Sequence, residues 1–234
     1  QKQGQYPEAK VLLEHDLELC RELGDWQGIS IAEALLGELY GAIGQFAEAI
    51  NHLQQSLRIS QELGYQKGVA RAVNTLGDVH YWKGDYLQSL AFYEQAIAIA
   101  RKTDNQLVLA SSLLEKGLVL LELGLYAELQ AIQQVVWPLV LNLGNPSLVV
   151  DAKLLQARSL ALAKDFSAAL EIIQALVNDL NLNAEQQAAA YFERFRISSR
   201  DTEARDLAHA LYTQLFQETP KHQYQTRLQQ LRES

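Results

Sequence analysis

Residues 69–103, VARAVNTLGDVHYWKGDYLQSLAFYEQAIAIARKT, contain a pattern that returns every 40 residues along the chain. An aromatic residue marks each return, at Tyr6, Phe46, Tyr86, Tyr126 and Phe166. A glycine lies two residues before each of the first four aromatics, and Lys164 takes its place before the fifth. A second column of small residues consists of Gly37, Gly77, Gly117 and Ala157. Repetition at about 20 to 50 residues is typical of stacked arrays rather than of a single globule.

Each period contains two segments in which apolar residues recur with the spacing of an amphipathic helix. The predicted helices cover residues 6–23, 26–43, 46–63, 66–83, 86–102, two helices within 106–143, 147–163, 166–180, 184–198 and 202–217. The links between them are short, and short links join antiparallel neighbours. The sequence therefore predicts an all-α array of antiparallel helix pairs.

The predicted domain organisation is a single array over residues 1–234. It consists of the second helix of a truncated repeat (1–24), four repeats (25–64, 65–104, 105–144 and 145–183), a degenerate repeat (184–219), and a capping helix or tail (220–234). Terminal repeats are atypical because one of their faces meets water. Because Gly4 occupies the position of a turn within a repeat, we expect a further helix upstream of Gln1 and a longer parent protein.

Three segments carry local expectations. The segment 107–124 is apolar on nearly every side, which predicts a helix that is buried all round. Pro138 removes a backbone donor and predicts a kink or an early helix end near Val136; a local packing irregularity is the alternative. Asn145 followed by Pro146 predicts an N-cap and the first position of the next helix.

Composition excludes several classes of protein. The chain is 48% hydrophobic and 21% charged, so it can bury a core. Residues 1–192 hold 13 basic and 22 acidic side chains, and residues 193–234 hold 7 and 6, which argues against nucleic-acid binding. The single cysteine, Cys20, excludes an internal disulfide and favours a cytoplasmic protein. The longest apolar run, at 135–141, is far shorter than the roughly 20 residues of a membrane span, so we expect no membrane partner.

No catalytic, cofactor-binding or metal-ligating set is visible in the sequence. The glycines follow the repeat interval and form no phosphate-binding loop. The five histidines lie in different repeats without the spacing of metal ligands. Cys20 lies on an apolar stripe, so we expect it to be buried and inert. The sequence thus predicts no enzyme; an enzyme with a site in a groove is the less favoured alternative.

Two segments, LLGELYGAIGQFAEAINHLQQSL at 35–57 and TLGDVHYWKGDYLQSLAFYEQAI at 75–97, resemble the tetratricopeptide repeat. The chain departs from the common form in its 40-residue period and in lacking the terminal proline. The link Glu-Leu-Gly-x-x-x-Gly at 22–28 and 62–68 is similar to that of arrays in bacterial signalling proteins. The resemblance implies a right-handed superhelical solenoid, whose concave face is lined by the first helix of each repeat.

By this resemblance and by helical spacing, the concave face should bind a protein or peptide. The predicted partner-binding residues are Ile31, Ala34, Glu38, Arg71, Asn74, Asp78, Tyr81, Trp82, Ser111, Leu114, Leu118, Leu121, Asp151, Leu154 and Arg158. Asn74 could hydrogen-bond a peptide amide, and Arg71 or Arg158 could pair with a carboxylate of the ligand.

The three leucines of the third repeat, Leu114, Leu118 and Leu121, form an apolar stripe on the side predicted to be open. We expect a partner helix, a second copy of the chain or its C-terminal segment to cover them. Alternatively, strong curvature of the array buries the leucines and the polar residues are a solvated surface. The favoured function is a non-catalytic binding scaffold or sensor in a bacterial regulatory protein, and the alternative is a homodimerisation module.

Overall fold

The computed structural model describes residues 5–199 and 201–233. This part of the chain forms twelve α-helices and no β-strand. The helices are α1 (Gln5–Leu23), α2 (Trp26–Ala42), α3 (Phe46–Glu62), α4 (Gln66–Lys83), α5 (Tyr86–Lys102), α6 (Gln106–Leu123), α7 (Tyr126–Leu143), α8 (Pro146–Leu162), α9 (Phe166–Val177), α10 (Ala184–Ile197), α11 (Thr202–Glu218) and α12 (His222–Glu233). The all-α fold predicted from the sequence is confirmed, and the predicted turn at Gly4 lies outside the described residues.

The helices form two compact units, Gln1–Leu123 with α1 to α6 and Gly124–Ser234 with α7 to α12. Within each unit every helix packs against the next one in the chain. The predicted repeat 105–144 therefore contributes α6 to the first unit and α7 to the second. In addition, α4 contacts both α2 and α6, and α10 contacts α8. These contacts bring side chains from the first helices of successive repeats together.

The small-residue column marks close contacts between the two helices of a repeat. A Cβ atom on Gly77 of α4 would lie 2.7 Å from Cε1 of Tyr93 on α5, which is fully buried. The Ser89 hydroxyl, also on α5, donates to the Gly77 carbonyl over 2.8 Å. In the second unit Ala157 occupies the same column and is also fully buried. The helices of the second unit therefore leave room for one methyl group at this position.

The turns between helices use the left-handed backbone conformation that glycine adopts without strain. Gly84 ends α4 in this conformation, with a φ of 85°. The conformation persists where another residue replaces glycine at these turns. Asp104, at the repeat position of Gly24, Gly64 and Gly144, has a φ of 51°, and Lys164 has a φ of 65°. The repeat geometry is therefore kept at these two positions at the cost of backbone strain.

The local expectations for α6, α7 and α8 have different outcomes. Every residue from 108 to 121 is buried or half-buried, which confirms that the centre of α6 is enclosed on all sides. Asn145 caps α8 by accepting from the Ser147 amide over 3.0 Å, as expected, and Pro146 is the first residue of that helix. The prediction that α7 ends early near Val136 is wrong, because the helix continues through Pro138 to Leu143.

Cys20 is half-buried against the core of the first unit. The sequence predicted that it is buried, so this prediction was wrong in degree.

The C-terminal segment was predicted to be either a capping helix or a tail, and the structure shows a helix, α12. This helix buries Tyr224, Leu228 and Leu231 against α10 and α11. No helix in the described part of the chain has both the length and the apolar character needed to cross a membrane.

Candidate functional site

A pocket of about 460 Å³ lies over α4 in the first unit, and we call it the α4 pocket. Its lining residues come from α2, α4 and α6 and from the turn before α6: Glu38, Lys67, Ala70, Arg71, Asn74, Thr75, Asp78, Trp82, Asn105, Val108 and Ser111. Six of these were predicted as partner-binding residues from the sequence. The structure therefore brings together one residue of the first full repeat, four of the second and one of the third.

An ion pair between two helices forms one side of the α4 pocket. Arg71 donates from Nε to Glu38 Oε1 over 2.7 Å and from Nη2 to Oε2 over 2.8 Å. The two side chains are 40% and 37% exposed, so water screens the pair. Arg71 was expected to pair with a ligand carboxylate, but in the structure its partner is the Glu38 carboxylate of the chain itself. The arginine is held in a fixed orientation, with part of its guanidinium surface facing solvent.

Asp78 is the most perturbed acid in the α4 pocket. Its Oδ1 accepts a hydrogen bond of 2.6 Å from the Tyr93 hydroxyl. Burial raises the pKa of Asp78 to about 6; the hydrogen bond from Tyr93 opposes this shift, and the neighbouring Glu38 carboxylate adds to it. The residue as a whole is half-buried, but its carboxylate lies in the enclosed part of the pocket, so burial dominates. Burial and Asp78 also raise the pKa of Tyr93 well above its usual value.

Asn74 presents hydrogen-bond donors to the α4 pocket. The Ser112 hydroxyl donates to Asn74 Oδ1 over 2.7 Å, which orients the side-chain amide. No hydrogen bond joins Asn74 Nδ2 to any residue in 5–199 or 201–233, so this group can donate to an acceptor in the pocket. Trp82 is half-buried and packs against the core of the first unit while its surface lines the pocket. The pocket therefore offers amide donors, an ion pair and an aromatic surface.

A second pocket, of about 340 Å³, lies over α10 in the second unit, and we call it the α10 pocket. Its lining residues are Ser147, Asp151, Leu154, Arg158, Asn183, Glu185, Gln186, Ala189, Phe192, Glu193, Tyr212, Gln223, Tyr224 and Arg227. Three of these, Asp151, Leu154 and Arg158, were predicted as partner-binding residues.

Buried charge defines one wall of the α10 pocket. Arg158 Nη2 donates to Glu193 Oε1 over 2.5 Å, and the two side chains are 14% and 2% exposed. Burial acts to raise the pKa of Glu193, but Arg158 and Arg196 outweigh it and hold the pKa below its usual value. Arg158 is therefore engaged with a carboxylate of the chain itself, and the expectation that it pairs with a ligand carboxylate is not supported by this geometry.

The remaining predicted residues line neither pocket. Ala34 and Leu114 are buried, so their assignment to an accessible face was wrong. Leu118 and Leu121 are half-buried, as is Ile31, so the third repeat has no open stripe of three leucines. Tyr81 is half-buried and packs against Tyr86 with ring centroids 5.7 Å apart.

Sequence reasoning missed residues in both pockets. Lys67 of the α4 pocket lies four residues before Arg71 on the same helix face, and helical spacing alone could have found it. Glu185, Glu193, Tyr212 and Arg227 of the α10 pocket lie where the repeat pattern has degraded, so no column of the sequence marks them. In the described residues no three side chains of the His, Cys, Asp and Glu types come together as a metal-ligand set.

The tetratricopeptide repeat model matches residues 1–62 and 68–128, which is more than half of the chain. The chain belongs to the tetratricopeptide repeat family. The resemblance seen in the two sequence segments is therefore confirmed, and the first helices that line the α4 pocket are those of tetratricopeptide repeats. No curated protein matches the chain.

Several solved structures share the fold of this chain. RapI in its apo form has a TM-score of 0.76 at 12% identity, over 98% of this chain and 92% of RapI. BtubC from P. vanneervenii has a TM-score of 0.69 at 13% identity, over 88% of each chain. A Rap protein complexed with Competence and Sporulation Factor has a TM-score of 0.66 at 15% identity, over 99% of this chain and 71% of the Rap chain. At such identities the likeness shows the fold alone.

Proposed function

We propose that this chain is a non-catalytic module that binds a protein or peptide segment in the α4 pocket. The observation that carries the proposal is the convergence of α2, α4 and α6 on one pocket that contains Asn74, Trp82 and the Arg71–Glu38 pair. An extended peptide needs acceptors for its amide groups, donors for its carbonyl groups and an apolar surface for its side chains. Glu38 and Asp78 supply acceptors, Asn74 Nδ2 supplies a donor, and Trp82 supplies the surface.

Family membership supports the proposal. Stacked repeats use extended surfaces for binding, and one structural neighbour is a Rap protein complexed with Competence and Sporulation Factor. The similarity of the repeat links to those of bacterial signalling proteins leads us to propose further that the module acts in a longer regulatory protein. It would sense or scaffold its partner there and pass the result to an effector domain.

A library of random peptides displayed on phage and selected on the immobilised chain tests the proposal. We expect enriched peptides whose binding falls about tenfold or more in Asn74→Ala and in Trp82→Ala, since each change removes a contact from the pocket. Gln88→Ala on the exposed face of α5 is the matched control and should bind as the wild type does. Enriched peptides that bind all three variants equally would place the binding surface elsewhere and contradict the proposal.

Self-association is a second candidate function, because α1 exposes several large apolar side chains. Val11, Leu12 and Leu23 are each more than 60% exposed on this helix. Exposed large apolar side chains clustered on one element are typical of protein interfaces. We expect the mass of the wild-type protein, measured by sedimentation, to rise with protein concentration. The Leu12→Glu variant should have the mass of a monomer at every concentration. Leu87→Glu, at an equally exposed leucine of α5, is the control; a monomer at every concentration would exclude this function.

A further inference from the structure

Asp78 is an acidic group of the α4 pocket that pairs with no basic side chain in the part of the chain that the structure describes. Its Oδ1 atom accepts the 2.6 Å hydrogen bond from the Tyr93 hydroxyl. Its Oδ2 atom accepts no hydrogen bond from a described residue, and it is not among the fully enclosed atoms that lack a partner. This carboxylate can therefore accept a hydrogen bond from a ligand in the pocket.

The two basic side chains that line the α4 pocket do not neutralise Asp78. Arg71 is held by Glu38, to which it donates from Nε over 2.7 Å and from Nη2 over 2.8 Å. Lys67 is exposed and lies three turns before Asp78 on α4, roughly 16 Å along the helix axis. Because Arg71 compensates the charge of Glu38, the end of the pocket around Asp78 carries one uncompensated negative charge. A charge in such a partly desolvated position favours a cationic ligand.

An aromatic surface lies one helical turn from Asp78. Trp82 follows Asp78 by four residues on α4, and side chains with this spacing share a helix face, with their Cβ atoms about 5–6 Å apart. Both residues line the pocket. One edge of the indole ring approaches α2, where a Cβ atom on Gly41 would lie 3.4 Å from Trp82 Cζ3, so packing holds the ring in place. A cation that binds Asp78 can therefore also contact the indole ring, which attracts positive charge.

The kind of cation follows from these neighbours. A metal ion is disfavoured, because the acids of the pocket are not gathered as a ligand set in the described part of the chain. Arginine and lysine side chains combine a positive charge and N–H donors with an apolar stem. A pocket of about 460 Å³ can hold one such side chain with the adjoining peptide backbone. Asn74, four residues before Asp78 on the same helix face, offers its side-chain amide to that backbone.

We propose that the peptide bound in the α4 pocket carries a basic side chain, arginine or lysine, which donates a hydrogen bond to the Asp78 carboxylate and contacts the Trp82 ring. This selectivity rests on the peptide-binding function proposed above and names the class of residue that the pocket recognises. It is opposite to the selectivity expected from the sequence, because Arg71 is paired within the chain and does not select an acidic peptide.

Selection from two matched phage libraries tests the proposal. One library encodes every residue type at its random positions, and the other omits arginine and lysine. We expect the immobilised chain to enrich peptides whose binding requires Trp82 from the full library only. Arginine at the selected position identifies a guanidinium group and lysine an ammonium group, and either result supports the site. Equal enrichment from both libraries would overturn the selectivity and leave the peptide-binding function standing, whereas no enrichment from either would contradict both.

A double-mutant cycle tests whether the basic side chain binds at Asp78. An enriched peptide is synthesised with its basic residue and with an uncharged analogue, citrulline for arginine or norleucine for lysine. In calorimetric titrations near neutral pH, Asp78→Asn should weaken the basic peptide about tenfold or more and the uncharged peptide less than about twofold, because only the basic peptide loses a charge-assisted hydrogen bond.

The Asp78→Asn variant keeps an oxygen that can accept the hydrogen bond from Tyr93, and circular dichroism checks the helical fold. Glu48→Gln, at an exposed carboxylate of α3, is the matched control and should leave the affinity for the basic peptide unchanged. If Asp78→Asn weakens the basic and the uncharged peptide equally, or weakens neither, the assignment of the basic side chain to Asp78 is overturned.

Discussion

Both units join an arginine to a glutamate between the first helices of successive repeats, but the two pairs differ in burial. In the first unit Arg71 and Glu38 are 40% and 37% exposed. In the second unit Arg158 and Glu193 are 14% and 2% exposed. Exposed pairs contribute little to stability, whereas an unpaired buried charge is very costly. The same kind of contact is therefore a surface feature next to the α4 pocket in one unit and part of the folded core in the other.

The largest effect should come from breaking the buried pair. Glu193→Gln should lower the free energy of unfolding by about 3 kcal/mol or more, because it leaves Arg158 with an uncompensated charge in a buried position. Urea unfolding followed by circular dichroism measures the loss, and hydrogen exchange in α8 and α10 localises it. The matched variant Glu38→Gln in the exposed pair should change the free energy by less than about 1 kcal/mol. Equal losses in the two variants would show that burial does not distinguish the pairs.

The small-residue column offers a second comparison of the units. Gly77→Ala should lower the free energy of unfolding by about 1–3 kcal/mol, because the new Cβ atom would lie 2.7 Å from the buried Tyr93 ring. Ala157→Gly makes the opposite change at the same column of the second unit. It should cost about 1–2 kcal/mol through lower helix propensity and lost burial. Thermal unfolding of both variants checks this, and a gain of stability in Gly77→Ala would disprove the steric argument.

Asp78 should make the stability of the first unit depend on pH. Its folded pKa of about 6 lies above the ordinary value of 3.8, so the folded state favours the protonated acid. Stability from this group is present below about pH 4 and is lost as the pH rises through about 6. Asp78→Asn should therefore stabilise the protein by about 1–2 kcal/mol more at about pH 7 than at about pH 4.

Urea unfolding at both pH values measures this difference. Tyr93→Phe is the companion variant, since it removes the hydrogen bond that opposes the shift and should steepen the pH dependence. An effect of Asp78→Asn that is the same at both pH values would mean that the carboxylate is not desolvated in the folded chain.

The smallest effect should come from the turns. Lys164 holds a φ of 65° at a position where the first unit has glycines. Lys164→Gly should raise the free energy of unfolding by about 1 kcal/mol, because the left-handed conformation is strained for lysine. Gly84→Ala, at the equivalent turn of the first unit, should lower it by about the same amount. Differential scanning calorimetry checks both variants, and a loss of stability in each would show that strain at Lys164 is relieved elsewhere.

The candidate site was predictable in part. Six residues of the α4 pocket follow from helical spacing within intact repeats, because residues on one helix face share a direction wherever the helix lies. The partners of those residues do not follow: Arg71 could have paired with a ligand, and only the packing of α2 beside α4 places Glu38 against it. Only Asp151, Leu154 and Arg158 of the α10 pocket were predicted, since most of its other residues lie in the degenerate repeat and in α12.

By itself, the sequence determined the helices, their pairing and the turns between them, because periodic apolar residues and glycine columns act over a few turns of chain. Tertiary structure alone decided that Leu114 is buried, that Arg158 pairs with Glu193 and that Tyr212 lines the α10 pocket. The reason is physical: Arg158 and Glu193 are 35 residues apart. Contacts over such separations depend on how helices stack, and local periodicity does not specify this.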